Sequence, residues 1–283
     1  MARRRRIRWD RVGLVFGPVL LLILILCFSC NGSSHKGKKP ASEISAAEPS
    51  SMDIVEQTLP TATEPQEGTQ LADPAVNTKK ELVVVIDAGH GGKDAGALND
   101  PNTPTRLEKD DVLRLSLAVQ KAFEKYPNIR VIMTRETDVF VELKDRCTIA
   151  NEANADFFIS IHRNSALTGD GVEIWVNNDA GGDNSMDKLL ATYIMELLED
   201  VGIAQNRGIK SGYRNSSSNE QSNNYYVNRN TNMPSCLIEM GFMTSAVDNQ
   251  NFDNHLEEYA EAIATAVVEL VTDRNLFTVE TVQ

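Results

Sequence analysis

The chain has 283 residues, of which 41% are apolar and 24% are charged. These values are close to the average of soluble globular proteins, so they exclude collagen, a coiled coil and a fully disordered chain. The formal net charge is −12, and residues 80–283 alone hold 18 basic and 32 acidic residues. Binding to a phosphate backbone needs an excess of lysine and arginine, so no nucleic-acid partner is expected.

Residues 1–30 have the layout of a secretion signal or a membrane anchor. Six arginines lie within the first 11 residues, residues 12–30 carry no charge, and residues 19–28 are all apolar. An apolar stretch of about 20 residues is long enough to cross a bilayer as a helix. The arginines predict that the rest of the chain lies outside the cytoplasm. We therefore expect tethering to the membrane by an uncleaved helix or by lipid on Cys30, with secretion after cleavage as the alternative.

The segment that follows, residues 31–79, is rich in Ser, Ala, Glu, Pro and Thr and has few large apolar side chains. Such a composition cannot bury enough surface to offset the entropy lost on ordering. It predicts that residues 31–79 are a disordered tether. We expect a single folded domain to follow at residues 80–276, with a short tail at residues 277–283.

Short apolar runs alternate with helical patterns along the folded domain, which predicts an α/β fold. We expect one mostly parallel or mixed twisted sheet, covered by helices on both faces. Residues 204–234 are polar and irregular by pattern, and Cys147 and Cys236 are expected to be buried free thiols. The predicted strands are residues 82–86, 130–134, 157–161, 171–176 and 236–238, and the predicted helices are residues 108–126, 143–154, 187–201 and 256–270.

Polar residues follow three of the predicted strands, where ligands bind in open α/β sheets. His90 comes after the first strand, His162 after the third and Glu239 after the last, while Glu108 begins the first helix. Alone, each has an ordinary structural explanation, such as a hydrogen-bonded histidine or a carboxylate at a helix N-terminus. Together, two histidines and one carboxylate form the donor set of hydrolytic zinc sites, which leave a fourth position open for water. A further carboxylate, Glu239, is then a candidate base for that water.

Five sequence blocks, in this order, resemble the zinc-dependent N-acetylmuramoyl-L-alanine amidases of the third amidase type. The resemblance covers about residues 82–273, which is essentially the whole predicted domain. It implies one zinc ion per chain, held by His90, Glu108 and His162, with Glu239 as the catalytic carboxylate. The blocks are residues 84–97 (VVIDAGHGGKDAGA), 108–110 (EKD), 134–151 with Thr134, Arg135, Asp138, Leu143, Arg146, Ala150 and Asn151, 155–162 (ADFFISIH) and 237–242 (LIEMGF).

One position departs from that family, which usually has a small residue after the second histidine. Here Arg163 stands there, followed by Asn164, and both are candidate substrate-binding residues. An arginine at this place either binds a substrate carboxylate in a bidentate manner or points away into solvent. We favour the solvent orientation. Arg135, Arg146 and Asn151 are expected to be structural supports.

The resemblance implies hydrolysis of the amide bond between the lactyl group of N-acetylmuramic acid and L-alanine in bacterial peptidoglycan. Such a reaction would remodel or degrade the cell wall. Two alternatives stay open, namely a catalytically silent module that binds peptidoglycan and a zinc peptidase that cuts within the stem peptide. The expected partners are peptidoglycan, the membrane through the N-terminal apolar segment, and protein activators of unknown identity.

Overall fold

The protein is described by a computed structural model that covers residues 80–177, 185–212 and 224–282. Its centre is a mixed six-stranded sheet in the order β2-β1-β3-β6-β4-β5. Strands β2, β1, β3 and β6 are parallel, β4 is antiparallel to β6, and β5 is parallel to β4. The strands are β1 (Leu82–Ala88), β2 (Ile129–Met133), β3 (Phe157–Asn164), β4 (Val172–Val176), β5 (Asn206–Ser211) and β6 (Ser235–Phe242).

Helices cover both faces of this sheet, so the predicted α/β fold is confirmed. Helices α1, α3 and α6 pack on one face and on one another, and α2 and α4 cover the other face. Helix α5 lies against the end of β6. The helices are α1 (Glu108–Phe123), α2 (Leu143–Glu152), α3 (Met186–Val201), α4 (Tyr226–Asn230), α5 (Ala246–Asn254) and α6 (Leu256–Asp273).

The apolar run of β1 shows why the sheet is buried on both sides. Successive side chains of a strand point to opposite faces. Val84 and Ile86 therefore join the larger apolar cluster beneath α1 and α6, whereas Val83 and Val85 join the smaller cluster beneath α2. All seven residues of this strand are buried. A strand that must pack on both faces reads as a continuous apolar run, as the sequence predicted.

Three elements lie where the sequence pattern gave no strand or helix. Strand β5, within the stretch predicted to be irregular, is a partly exposed edge strand, and its register against β4 shifts between Val172 and Ile174. Gly208 in this strand has a φ of +87°, which favours glycine. Helices α4 and α5 are short and rich in asparagine. Their polar composition hides them from a search for apolar periodicity.

The chain continues to pack on the domain after α6. Phe277 is buried, and the backbone N–H of Val282 donates a hydrogen bond to the carbonyl of Lys125. Cys147 and Cys236 are buried free thiols, as expected, and they belong to the clusters on opposite faces of the sheet. Burial raises the pKa of the Cys147 thiol to about 11.

The predicted anchor at residues 1–30, including Cys30, and the predicted tether at residues 31–79 lie outside the described residues. Among the residues that the structure describes, no helix combines the length and the apolar character needed to cross a bilayer.

Candidate metal centre

Three of the predicted site residues converge at the carboxyl ends of β1 and β3. His90 follows β1, Glu108 is the first residue of α1, and His162 lies in β3. Their potential ligand atoms all lie within 4.8 Å of one another. Glu108 Oε1 is 3.1 Å from His90 Nε2 and 3.0 Å from His162 Nδ1. Residues far apart in the sequence thus form one compact cluster of two imidazoles and a carboxylate.

Two glycines make this close approach possible. A Cβ atom added at Gly89 would lie 2.4 Å from the imidazole ring of His162, and one added at Gly96 would lie 2.6 Å from Glu108 Oε2. Both distances are too short for any side chain. His90 itself has a φ of 57°, a left-handed conformation that is uncommon for residues other than glycine. The tight turn of the backbone after β1 places the His90 side chain at the carboxyl edge of the sheet.

Hydrogen bonds orient the ligands. His90 Nδ1 is 2.8 Å from Asp94 Oδ2, which leaves Nε2 directed at the cluster. The Glu108 carboxylate accepts backbone N–H bonds from Ala97 at Oε2 (2.6 Å) and from Arg163 at Oε1 (2.9 Å). Such outer contacts fix the orientation and basicity of metal ligands. Sequence reasoning assigned no role to Asp94, although its place four residues after His90 was a usable signal.

His90 and Glu108 stabilise each other's charged forms. Burial by itself favours the protonated form of Glu108, but hydrogen bonds and charges from His162 and His90 outweigh it and lower the Glu108 pKa. Burial likewise opposes charge on His90, yet Glu108 and Asp94 outweigh this effect and raise the His90 pKa to about 9. A carboxylate that stays anionic therefore lies between two imidazoles. Divalent cations compete with protons for such groups.

Two buried arginines hold the loop that carries His90. Arg135 donates from Nε to the carbonyl of Ala88 (2.9 Å) and from Nη2 to that of Gly89 (2.7 Å). Arg146 donates from Nη1 to the carbonyl of Ala88 and from Nη2 to that of His90, both at 2.7 Å. Three consecutive carbonyls are thereby satisfied by guanidinium groups, in agreement with the supporting role expected for both arginines.

A buried carboxylate beneath this loop balances the positive charge. Asp87 accepts hydrogen bonds of 2.7 Å from Thr134 Oγ1, Ser160 Oγ and Arg146 Nη1. Burial would raise the Asp87 pKa, but the Arg146 charge and these hydrogen bonds outweigh it and lower the pKa. Asp87 is therefore a charged, fully engaged anchor for the end of β1.

Asn151, the third expected support, connects α2 to the chain that leads into β6. Its Nδ2 donates to the carbonyl of Asn230 and its Oδ1 accepts from the backbone N–H of Asn232, both at 2.9 Å. The partners are the last residue of α4 and a residue between α4 and β6, and neither is a ligand residue, so the contacts of Asn151 are structural.

Glu239 lies in β6 beside the metal-ligand cluster. It pairs in register with His162 of β3 and, on its other side, with Glu173 of β4. Residues paired in this way project from the same face of a sheet, with neighbouring strands about 4.8 Å apart. The Glu239 side chain is therefore on the face of His162, one strand away, and the residue is only 9% exposed.

The next carboxylate in this row, Glu173, is engaged by four side chains. Its Oε1 accepts from Asn164 Nδ2 (2.8 Å) and Trp175 Nε1 (3.1 Å), and its Oε2 accepts from Arg207 Nε (2.9 Å) and Lys210 Nζ (2.5 Å). Burial opposes ionisation, but Lys210 and Arg207 outweigh it and lower the Glu173 pKa to about 2. Glu173 escaped sequence reasoning because its two cations lie in the unrecognised strand β5.

The expectation that Arg163 points into solvent is wrong. Its side chain is 0% exposed and lies 2.5 Å from Asp111 Oδ2, because strand alternation turns it away from His162 and under α1. Asn164 is also buried and donates to Glu173. The predicted contacts of Arg163 and Asn164 with substrate thus gain no support, since both side chains are occupied inside the protein.

A cleft of about 630 Å³ opens beside the two histidines, between the start of α2 and α4. One wall carries apolar side chains ahead of and within α2, and the other carries two tyrosines. The cleft is large enough for an extended polar ligand with apolar parts. Its lining residues include His90, Asp94, His162, Phe140, Val141, Leu143, Tyr225, Tyr226 and Arg229.

Comparison with known proteins decides the family. The family model described as N-acetylmuramoyl-L-alanine amidase matches residues 84–272, which is more than half of the chain. The chain belongs to the N-acetylmuramoyl-L-alanine amidase family. This membership places it among the hydrolases and confirms the amidase family predicted from the sequence blocks.

Curated relatives of this chain include an amidase and an endolysin. The sporulation-specific N-acetylmuramoyl-L-alanine amidase of Bacillus subtilis is 32% identical over 166 residues, which cover 58% of this chain and 58% of that protein. The endolysin of Bacillus phage SPP1 is 33% identical, with 67% of this chain and 66% of the endolysin covered. The chain therefore spans somewhat less than two thirds of either of these two relatives.

Solved amidase structures share the fold. The N-acetylmuramoyl-L-alanine amidase of Clostridium difficile 630 is 32% identical with a TM-score of 0.59, and the match covers 69% of this chain and 98% of that one. The CwlD amidase of Clostridioides difficile, solved in complex with the GerS lipoprotein, is 28% identical with a TM-score of 0.59, covering 68% of this chain and 100% of that one.

The residues present fit a zinc ion. Two imidazole nitrogens and one carboxylate oxygen are the donor set of hydrolytic zinc sites. Here the carboxylate oxygen lies 3.0–3.1 Å from a nitrogen of each imidazole. The Asp94 contact to the outer nitrogen of His90 is the arrangement that zinc-binding histidines usually show.

Proposed function

We propose that the chain is a zinc-dependent amidase that hydrolyses the bond between the lactyl group of N-acetylmuramic acid and L-alanine in peptidoglycan. One observation carries the proposal: the donor atoms of His90, Glu108 and His162 converge within 4.8 Å, one strand away from Glu239, in a chain of this family. In this proposal the three residues hold one zinc ion and Glu239 is the general base.

The residues divide the chemistry among them. When bound, zinc would lower the pKa of a coordinated water and polarise the scissile carbonyl. Glu239 accepts a proton from the attacking water and delivers it to the nitrogen of the leaving L-alanine, acting as base and then as acid. Asp94 keeps the His90 ring oriented, and Arg135 and Arg146 hold its loop. No covalent enzyme intermediate is required.

Two alternative functions are distinguishable from this proposal. A silent binding module would be expected to have lost a ligand or the base, whereas all four residues are present in this chain. A zinc peptidase would use the same donor set but would release shortened peptides. The names of the relatives favour the amidase bond.

We propose that the enzyme acts outside the cytoplasm, tethered to the membrane. The uncharged stretch at residues 12–30 after a cluster of arginines supports this location, and relatives from Staphylococcus epidermidis are named probable cell wall amidases. Secretion after cleavage is the alternative. A protein partner is also proposed, since the related CwlD amidase is described in complex with a lipoprotein.

Mass spectrometry of peptidoglycan digested by the full chain tests the function. The digestion is run with zinc and, separately, with a chelator, and the Glu239→Gln variant is the control. We expect intact stem peptides with a free L-alanine amine only in the zinc reaction of the unaltered chain. Shortened peptides would favour the peptidase. Binding to the wall without any release, with zinc present, would favour the silent module.

A further inference from the structure

Arg163 occupies a buried place directly behind the metal centre. It follows His162 in β3, so its side chain projects from the opposite face of the sheet, where it is 0% exposed. Its guanidinium lies over the ring of Phe252, 4.4 Å from the centroid. A fully buried arginine is costly unless its donors are paired, so its contacts show what it holds together.

The first set of contacts ties β3 to the helix that carries Glu108. Arg163 Nη1 lies 2.5 Å from Asp111 Oδ2. Asp111 follows Glu108 by three residues and so lies one turn further along α1. The backbone N–H of the same arginine donates to Glu108 Oε1 at 2.9 Å. One residue therefore contacts the carboxylate ligand through its main chain and the helix of that ligand through its side chain.

The second set of contacts reaches the strand that carries Glu239. Arg163 Nε and Nη2 approach the carbonyls of Gly241 and Phe242, each at 3.4 Å, at the end of β6. Nη2 also donates to Asn249 Oδ1 of α5 at 2.7 Å. The guanidinium is thus in contact with every element that supplies Glu108, His162 or Glu239.

Two further arginines extend the cluster. Arg106 Nε lies 2.6 Å from Asp111 Oδ2, and its two terminal nitrogens bind Asp253 of α5 at 2.7 and 2.9 Å. Arg114 Nη1 lies 3.2 Å from Asp253 Oδ1 and 3.6 Å from Asp111 Oδ1, so three arginines surround two carboxylates. Only the Arg163–Asp111 pair of this cluster is fully buried. Replacing a buried ion pair by apolar groups is often neutral for stability, so the geometry of the pair is better explained by positioning than by a gain in stability.

We propose that Arg163 is a positioning residue of the metal centre. Its guanidinium fixes α1 and β6 against β3, so that Glu108 and Glu239 keep their places relative to His162. This inference rests on the proposed zinc-dependent function. It explains why a large charged residue follows the second histidine without reaching the substrate.

The test measures zinc affinity by chelator competition and thermal unfolding with the chelator in excess. Arg163→Met is compared with the double variant Arg163→Met/Asp111→Asn, which also removes the carboxylate that the first change leaves less compensated. Val267→Ala, on the buried face of α6, is the matched control for a loss of stability. Arg163→Lys keeps the charge and serves if the methionine variant does not fold.

We expect Arg163→Met to lower zinc affinity by roughly 10- to 100-fold, the usual effect of removing an outer contact of a metal site. The double variant should regain unfolding temperature without regaining zinc affinity. The zinc affinity of Arg163→Lys should lie between those of the unaltered protein and Arg163→Met, because an ammonium group cannot reach Asp111 and Asn249 in the same fork geometry. The control should lose unfolding temperature while keeping the zinc affinity of the unaltered protein.

Unchanged zinc affinity in folded Arg163→Met, or in Arg163→Lys, would overturn the inference and leave the arginine a purely structural residue. Recovery of zinc affinity along with stability in the double variant would overturn it as well. A different result, namely no zinc binding by the unaltered chain, would refute the proposed function and this inference together. Zinc binding by the unaltered chain thus distinguishes a failure of this inference from a failure of the proposed function.

Discussion

The two faces of the sheet differ in the kinds of side chain that they bury. The face beneath α1, α3 and α6 is a large apolar cluster that includes Ile86, Ile159 and Ile238. The face beneath α2 and α4 has a smaller apolar cluster and carries buried carboxylates, among them Asp87 and Glu173. Apolar burial supplies most of the stability, whereas paired charges hold groups in defined positions. The Arg163–Asp111 pair is an exception, because it lies beneath α1 on the apolar face. Stability and chemistry are otherwise largely assigned to opposite faces.

The sharpest way to separate these roles is to remove the proposed base alone. Glu239→Gln should lower the rate of amide hydrolysis by about 10²- to 10⁴-fold, the usual contribution of a general acid–base group. Zinc affinity and unfolding temperature should change little, since the amide has nearly the shape of the carboxylate. Assays of released stem peptide at saturating zinc measure the effect.

Glu173→Gln is the matched control for that change, because Glu173 pairs with Glu239 in the adjacent strand and on the same face. It should retain far more activity than Glu239→Gln. Equal losses in the two variants would contradict the assignment of Glu239 as base.

Breaking the ion pair on the site face should affect stability and metal binding together. Arg146→Met leaves Asp87 buried without its cation and should cost about 3–5 kcal/mol in the free energy of unfolding. Because Arg146 also holds the carbonyl of His90, zinc affinity should fall in the same variant. Urea unfolding and chelator competition check the two effects. A stability loss with zinc affinity intact would argue against the coupling.

A cavity on the opposite face should affect stability alone. Leu198 of α3 is 0% exposed within the larger apolar cluster, so Leu198→Ala should cost about 2–5 kcal/mol in the free energy of unfolding. Zinc affinity of the folded protein should stay at the value of the unaltered chain. Weaker zinc binding in this variant would show that the apolar cluster itself, and not only the Arg163–Asp111 pair on this face, affects the metal centre.

Acid should weaken the site face through Glu173, by a smaller amount. Burial opposes the shift, but Lys210 and Arg207 lower the Glu173 pKa from an ordinary 4.5 to about 2. The stabilisation by this carboxylate is therefore complete above pH 4.5 and is lost as the pH falls towards 2. The free energy of unfolding, measured with chelator present, should fall less steeply over this range in Glu173→Gln. Parallel curves would contradict the assigned ion pairs.

The sequence predicted those strands of the fold that have a distinctive local pattern of apolar residues. Strands β1, β3 and β6 contain apolar runs because both of their faces are covered. His90 follows β1, whereas His162 and Glu239 come directly after the apolar runs of β3 and β6 but still lie within these strands. Strand β5 was not predicted, since an edge strand with polar side chains has no apolar pattern. Its pairing partner, β4, ends at Val176, 30 residues before β5 begins at Asn206.

Side-chain direction was partly readable as well. The period of two in a strand places Arg163 on the opposite face from His162, so burial beneath α1 followed from the predicted strand if the strand was extended past residue 161. The same alternation places Glu173 with Trp175 on the site face. Their partners, Asp111 for Arg163 and Lys210 for Glu173, come from other elements and only the folded chain brings them near.

The irregular strand β5 has a consequence for the protein as a whole. An exposed sheet edge offers unpaired amide groups to any neighbouring chain and is a template for aggregation. At this edge the backbone is interrupted by Gly208 and by a shift in register, and Arg207 and Lys210 add charge. Another strand finds neither a straight ladder of partners nor a neutral surface to join. We therefore expect this edge to disfavour pairing with a strand of another molecule.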